Sequence, residues 1–204
     1  MTTLTRACWG NGVILFALLA GSLSHAEEPI PPIARRLPPP GIQIDAQERA
    51  KLAQELQRLQ GLFEKRKNHA LAPDLDVYLQ AVRLALQFGE FYNNTDVERA
   101  HELLATASDR LKRLSSEETP WTTARGLVVR GYRSSVDSSS QPYGLVIPEK
   151  LDLNTPVPLY VWLHGRGDKN TNLTFLHQRQ TQVGKAAPSD AIVVHPWGRH
   201  CVGY

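Results

Sequence analysis

The sequence predicts an α/β fold in which a helical amino-terminal region precedes a sheet that starts with an antiparallel hairpin and continues with parallel strands. Three observations lead to this prediction. Apolar residues recur at helical spacing between residues 45 and 116. Two β-rich runs joined by a polar loop follow from residue 126. Beyond them, the apolar runs 157–163 and 191–195 flank a helical segment, and strand–helix–strand at this spacing predicts parallel pairing through a right-handed crossover.

The composition is that of an ordinary globular chain and excludes two kinds of partner. Hydrophobic residues make up 42% of the chain and charged residues 21%, so a packed core is feasible. The formal net charge of +3 is too balanced for a protein that binds nucleic acid through its charge. The sequence also lacks a dense basic run of the kind that binds acidic membrane surfaces, and no cofactor is predicted.

Residues 1–26 have the features of a secretory signal peptide. Arg6 precedes an apolar centre at residues 13–20, and small residues lead to a cleavage position after Ala26. The alternative is an uncleaved membrane anchor, but the apolar centre is shorter than the ~20 residues that a membrane span needs. We therefore expect an exported protein, periplasmic or secreted, with no stable membrane insertion after cleavage. Cys201 is then the one cysteine kept in the mature sequence, which predicts a free or buried thiol.

Residues 27–44 contain six prolines and predict a stiff, unstructured spacer. A ligand for a proline-recognition domain is the alternative. Residues 45–116 then predict three helices, with Asp45 and Glu48 as a capping box for the first and Thr95 and Glu98 as one for the third. The second is expected to begin near Pro73. We expect these helices to pack on the region that follows, although a partner-binding helical module is the alternative.

Residues 121–204 predict the sheet. The hairpin strands are expected at 126–132 and 143–148, and the apolar run 157–163 predicts a strand buried on both faces. Thr171 or Asn172 is expected to cap the following helix, which Gly184 would end.

The run 157–163 leads directly into the sequence His164-Gly165-Arg166-Gly167-Asp168, which we call the glycine turn. Glycines spaced one apart let a ligand approach main-chain N–H groups, and ligands bind at the carboxyl ends of parallel strands. The loop that follows the strand 191–195 lies at the same edge, so His195, Trp197 and Arg199 join the candidate site. The alternative is an ordinary strand-to-helix connection that needs glycine for its dihedral angles.

An apolar strand followed by His-Gly-x-Gly resembles the oxyanion-hole turn after the third strand of α/β-hydrolases, as in exported esterases and prolyl-oligopeptidase-like serine hydrolases. The resemblance runs from about Trp121 to the end of the sequence. It implies that the main-chain N–H of Arg166 is an oxyanion donor and that Gly165 and Gly167 set its geometry. It also implies that His164 supports the turn and does not transfer a proton.

The sequence departs from that family at the nucleophile. Such enzymes carry a serine in Gly-x-Ser-x-Gly, and no two glycines here stand four apart around a serine. The serines of the hairpin loop, residues 138–140, are expected to be loop residues. We therefore expect the amino-terminal part of an exported serine hydrolase, which carries the oxyanion turn without the catalytic triad and is inactive as given. Its full-length form would act on a small-molecule ester or a peptide.

Two alternatives remain open. One is a non-catalytic exported binding protein that uses its helices or the edge around Gly165 and Trp197. The other is a zinc site. Suitable ligands are supplied by His195, His200 and Cys201, with Asp168 or His177. The spacing of these residues matches no compact zinc motif. Within the site, Arg166, Asp168 and Arg199 are expected to pair with one another or to bind a substrate carboxylate.

The apolar strands also predict how the chain behaves alone. Eight apolar side chains in the runs 159–163 and 192–194 are worth ~1.5–3 kcal/mol each when covered. Leaving half of them uncovered removes an amount comparable to a domain's net stability of ~5–15 kcal/mol. We expect the isolated chain to be insoluble, partly folded or dimerised by edge pairing.

Overall fold

The computed structural model describes residues 38–165 and 167–199, which form four α-helices and one mixed sheet of four strands. The helices are α1 (Ala46–Glu64), α2 (Pro73–Phe88), α3 (Thr95–Ser115) and α4 (Asn172–Thr181). The strands are β1 (Gly126–Arg133), β2 (Ser140–Ile147), β3 (Leu159–Val161) and β4 (Ile192–Pro196). The predicted α/β class is confirmed at this level. The predicted signal peptide and Cys201 lie outside the described residues.

The start of α1 is capped by the predicted residue, but without the predicted partner. The Asp45 carboxylate accepts hydrogen bonds from the N–H groups of Gln47 and Glu48, at 2.8 and 3.1 Å. The Glu48 side chain does not complete the capping box. It bonds instead to Lys51 Nζ at 2.6 Å and to His101 Nε2 at 3.1 Å.

The capping box predicted for α3 is also wrong. Asn94 precedes the helix and makes no side-chain capping bond. Asp96, inside the first turn and fully buried, accepts hydrogen bonds from the N–H groups of Tyr92 and Asn93, at 2.8 and 2.9 Å. Its other oxygen pairs with Arg99 Nη1 at 2.8 Å. A carboxylate in the first turn favours the helix electrostatically and here satisfies the backbone donors of the preceding loop.

One hydrophobic core joins the helices to the sheet. Helix α2 lies in its centre and contacts α1, α3, α4, β1 and β2. The buried stripe of α1 consists of Leu52, Leu56, Leu59 and Phe63. Trp121 and Val129 from the sheet region belong to the same core as these helical side chains. Because apolar burial is the main stabilising contribution, the helices and the sheet depend on each other for stability.

Arg110 of α3 is buried at the junction between the helices and β1. Its Nη1 donates to the backbone oxygen of Asp74 and its Nη2 to that of Val129, both at 2.9 Å. Its guanidinium also lies over the rings of Tyr78 and Trp121, at 4.9 and 5.1 Å from their centroids. Burial lowers the pKa of Arg110. The two carbonyl oxygens and two ring faces offset the loss of solvation of this charge.

The sheet order is β1-β2-β4-β3. Strand β2 pairs antiparallel with β1 and with β4, and the register places Gly144 opposite His195. Strand β3 pairs parallel with β4, with Leu159 opposite Ile192. The predicted hairpin and the predicted parallel pair are therefore confirmed, although β2 starts at Ser140, three residues earlier than predicted.

The prediction that β3 is buried on both faces is wrong. Leu159, Tyr160 and Val161 are each more than half exposed, at 59%, 56% and 58%, and Leu163 is 76% exposed. β3 pairs with β4 along one edge only. An apolar run shows that a strand can be buried, but whether it is buried depends on the elements that pack over it. Within the described residues, no element covers β3.

The end of the predicted spacer is ordered against the turn after α2. The N–H of Ile42 donates to the backbone oxygen of Phe91 at 2.7 Å, and Ile44 packs against the core. A Cβ atom on Gly41 would overlap the carbonyl oxygen of Gly89. Residues 41–44 are therefore not an unstructured spacer, because their apolar side chains and close backbone approach attach them to the helices.

Candidate functional site

The glycine turn lies between β3 and α4, at the carboxyl end of the parallel pair. Pairing continues past β3, since the N–H of Trp162 donates to the Val194 oxygen at 2.8 Å. After the turn, Thr171 caps α4 through a reciprocal bond with Thr174, as one of the two predicted capping residues. Because β3 and β4 are parallel, the segment 197–199 leaves the sheet at the same edge as the turn.

His164 and His195 meet directly at this edge. His164 Nε2 and His195 Nδ1 lie 3.2 Å apart, and their ring centroids are 5.1 Å apart. His195 is 1% exposed. Burial, the positive charge of Arg179 and the neighbouring His164 lower the pKa of His195 to about 4. Burial and Arg179 also lower the pKa of His164. Both rings are therefore neutral at neutral pH, and one donates its N–H to the other.

The two glycines of the turn differ in their surroundings. Gly165 is exposed, and a Cβ atom added there would meet nothing within 4 Å. A Cβ atom on Gly167 would lie 2.7 Å from Asn170 Nδ2. Neither glycine has a φ in the left-handed region. Protein packing therefore explains the glycine at 167 but not the one at 165, where the backbone is open to a ligand. Arg166 lies outside the described residues.

A cavity of about 50 Å³ opens beside Gly165, and we call it the turn cavity. It is lined by His164, Gly165, Asn170, Thr174, Phe175, Gln178 and Trp197. A larger cavity, of about 500 Å³, lies between α1 and α3 and contains none of the predicted site residues. The turn cavity therefore combines a strand end, an exposed glycine backbone and His164, a histidine whose pKa is lowered.

Trp197 forms a wall of the turn cavity. It is 6% exposed, its Nε1 donates to Asn172 Oδ1 at 3.1 Å, and its ring lies 4.8 Å from that of Phe175. Phe175 in turn presents a T-shaped contact to His164, with centroids 5.5 Å apart. These contacts fix the orientation of the imidazole at the base of the turn.

Among the described residues, Arg199 does not pair with Asp168, and Arg166 lies outside them. Arg199 is bound to the hairpin loop, where Nη1 lies 2.6 Å from Asp137 Oδ2 and Nη2 lies 3.1 Å from Ser134 Oγ. Asp168 is exposed, and its charge adds to burial and to Glu90 in raising the pKa of Tyr92. Pairing with Asp168 was one of two alternatives for Arg199, the other being a substrate carboxylate, and the structure shows Asp137 of the hairpin loop as its partner.

Arg179 is a site residue that sequence reasoning missed. It lies on α4, is 5% exposed, and its positive charge acts on both histidines. Its methylene groups pack against Gly144 of β2, where an added Cβ atom would lie 2.7 Å from Arg179 Cδ. The glycine in the middle of a predicted strand was the signal that could have found this contact, since such a glycine marks a close approach.

The other candidate groups are accounted for by local contacts. Ser139 Oγ donates to Asp137 at 2.6 Å and Ser140 Oγ to Asp76 at 2.6 Å, so these hairpin serines bond to carboxylates. His177 Nε2 lies 3.5 Å from Glu102 Oε2. Between residues 38 and 199, Arg166 aside, no three His, Cys, Asp or Glu side chains come together in a way that could hold a metal ion. His200 and Cys201 lie outside that range.

The resemblance to α/β-hydrolases rests on the residues of the chain itself. None of the helices in the described residues is both long enough and apolar enough to cross a membrane. No model of a protein family, no curated protein and no solved structure matches the chain.

Proposed function

We propose that this chain is the amino-terminal part of an exported serine hydrolase, in which the glycine turn supplies main-chain donors to the oxyanion of the reaction. The nucleophile, the acid and the catalytic base would come from residues outside this sequence. The observation that carries the proposal is the open backbone of Gly165 at the carboxyl end of β3, beside the turn cavity.

The arrangement of elements supports this proposal. In α/β-hydrolases one oxyanion donor comes from the loop between the third strand and the helix that follows it. The glycine turn is the connection between β3 and α4. The order β1-β2-β4-β3, with an antiparallel pair before the parallel one, also resembles the start of an α/β-hydrolase sheet. The exposed edge of β3 agrees with further strands pairing there in the complete domain.

The chemistry that the turn would perform is electrostatic. Attack on an ester or amide carbonyl places negative charge on its oxygen, and fixed N–H donors stabilise that charge by ~3–4 kcal/mol each. The donor from this turn would be the N–H of Arg166. The absence of a side chain at Gly165 leaves the space in which the carbonyl group would lie.

His164 has a supporting role in this proposal. Its Nε2 is engaged with His195, and its ring is held by Phe175. A general base needs a free nitrogen directed at the proton it removes, and one of the two ring nitrogens of His164 is already engaged. Because His195 and Phe175 hold its ring, His164 instead fixes the position of the backbone that follows it.

The rival function is a non-catalytic exported binding protein. Trp197, one of the residues predicted to contact a partner, is buried and donates a hydrogen bond to Asn172. It therefore offers little contact surface. The exposed apolar side chains of β3 favour this rival, because an unpaired strand edge can add a partner strand.

Labelling with a fluorophosphonate probe tests the proposal. The mature protein is purified from its native host with an antibody against the helical region, and its mass and its labelling are measured. We expect a mass well above that of residues 27–204 and covalent labelling of one serine. As the control, residues 27–204 produced alone are not labelled.

Two results would contradict the proposal. Stoichiometric labelling of residues 27–204 alone would mean that an activated serine lies within this sequence. A native protein with the mass of residues 27–204 that takes up no probe would favour the binding protein.

A further inference from the structure

Two of the three nitrogens of the Arg179 guanidinium are buried without a partner among the described residues. Its Nε and Nη1 atoms are inaccessible to solvent and make no hydrogen bond to any residue that the structure describes. Burial alone lowers its pKa, with no carboxylate acting in the opposite direction. By contrast, Arg110 directs its two Nη groups at carbonyl oxygens. Leaving a charge buried and unpaired is among the most destabilising arrangements in proteins, so this guanidinium requires an anionic partner.

A second unpartnered polar atom lies beside it. His195 Nε2 is also buried and has no hydrogen-bond partner among the described residues. The opposite ring nitrogen, Nδ1, is engaged with His164. Gly144 lies directly opposite His195 in the sheet, and the methylene groups of Arg179 pack against it. This contact places the guanidinium next to the imidazole of His195.

Gly184 forms the outer wall of this position. A Cβ atom on Gly184 would lie 3.3 Å from His195 Cε1, 3.4 Å from Arg179 Nη1 and 3.7 Å from His195 Nε2. The glycine itself is exposed, with a φ of 92°. Gly184 therefore adds no side chain to the cover over the two unpartnered groups, whose orphaned atoms are not exposed to solvent.

From this geometry we propose that Arg179 and His195, behind Gly184, form a binding site for the carboxylate group of a small-molecule ligand. A carboxylate carries the negative charge that a guanidinium pairs with, and its two oxygens can serve two donors. They would accept from Arg179 Nη1 and from His195 Nε2, the two orphaned atoms that lie near Gly184. Binding is non-covalent, and the site does not depend on the proposed hydrolase function.

Occupation of the site would be transmitted to the glycine turn. A carboxylate that accepts from His195 Nε2 selects the tautomer in which Nδ1 carries no proton. Nδ1 must then accept from His164 Nε2, because the two nitrogens lie 3.2 Å apart. The ligand would thereby fix the tautomer of His164 at the start of the turn.

The test measures the pKa of His195 in the protein with acetate as the probe. The protein is produced by its native host with ¹³C-labelled histidine, and the His195 signal is assigned with His195→Gln. The titratable groups that act on His195 are Arg179 and His164. Acetate up to about 100 mM, the weak end of measurable affinity, is compared with sodium chloride at equal ionic strength. We expect acetate to raise this pKa by about 1–3 units, because it places a negative charge beside the imidazole.

Variants locate the effect. Arg179→Met removes the acetate response, Arg179→Lys weakens it, and Arg83→Met, which removes an exposed arginine elsewhere, leaves it unchanged. If Arg179→Met does not fold, the comparison of acetate with chloride in the wild type decides. A His195 pKa that does not respond to acetate overturns the proposal. An ordinary pKa before acetate is added also overturns it, because the protein would already supply the carboxylate.

Discussion

The Asp74 carboxylate, in the first turn of α2, accepts a hydrogen bond of 2.7 Å from the backbone N–H of Gly131 in β1. Its other oxygen accepts from Trp121 Nε1 at 3.0 Å and from Arg130 Nε at 2.9 Å. Asp74 is 1% exposed. One carboxylate thus joins a helix terminus to the strand that begins the sheet, and it orients the helical region relative to the candidate site.

Replacing this carboxylate should destabilise the whole unit. Asp74→Ala leaves the Gly131 and Trp121 donors and the Arg130 charge without their acceptor, and breaking such a buried network costs ~3–5 kcal/mol. Urea unfolding of the protein measures the change. Asp109→Ala, which removes an exposed carboxylate paired with Arg113, should change stability by less than about 1 kcal/mol. Equal effects of the two substitutions would contradict this account of Asp74.

Gly131 should tolerate no side chain. A Cβ atom there would overlap the backbone oxygen of Pro73 at the start of α2. Gly131→Ala must therefore separate α2 from β1, and we expect a loss of roughly 1–3 kcal/mol, as for overpacking. The matched control is Gly61→Ala in α1, where an added Cβ meets nothing within 4 Å. Thermal unfolding should show a small gain there of ~0.5–1 kcal/mol, since alanine favours helix.

Acid should destabilise the protein through His195. Its pKa is about 4 in the fold against 6.5 ordinarily, so between these pH values the unfolded chain binds a proton that the folded chain does not. Stability is therefore complete above about pH 6.5, falls as the pH decreases towards 4, and loses nothing further from this group below that. We expect a loss of roughly 1–3 kcal/mol in acetate-free buffer.

The variant His195→Gln isolates this contribution from the carboxylates that titrate nearby. Unfolding by urea at pH 7 and pH 4.5 should show a smaller difference in the variant than in the wild type. His164 shifts in the same direction, so some dependence remains. Identical pH dependence in the two proteins would mean that His195 takes up its proton freely in the fold.

The exposed edge of β3 should make residues 27–204 self-associate when produced alone. Leu159 and Val161 are exposed apolar residues on a strand whose second edge is unpaired among the described residues. Sedimentation should detect dimers or larger species, and Val161→Lys should reduce them, because a charged edge opposes pairing. A monodisperse monomer with a sharp unfolding transition would contradict this prediction.

Local signals in the sequence predicted local structure. Asp45 and Thr171 cap their helices because a short polar side chain reaches backbone N–H groups two or three residues ahead. The apolar runs predicted the strands and the parallel pair. Thr95 and Glu98 do not form the predicted capping box. Asp96, the residue after Thr95, accepts a hydrogen bond from the backbone of the preceding loop instead.

Such local signals could not predict contacts between residues that are far apart in the sequence. Asp74 and Gly131 are 57 residues apart, and His164 and His195 are 31 apart. The sequence predicted that the two histidines share one edge of the sheet, because parallel strands bring their ends together. It did not predict that Arg179 reaches across Gly144 to the same place, since that contact depends on how α4 lies on the sheet. Exposure of β3 depends likewise on what covers it.

The effect of Gly165→Ala on ester hydrolysis by the full-length protein tests the oxyanion-turn account most directly. An added methyl group meets no atom of the described residues within 4 Å, so the unfolding temperature should stay unchanged. The same methyl group would occupy the space of the substrate carbonyl, and a misplacement of about 1 Å lowers catalysis by about 100-fold. We therefore predict a loss of that order in kcat/KM for Gly165→Ala and none for Gly61→Ala. Wild-type activity in the folded Gly165→Ala protein would contradict the assignment of the turn.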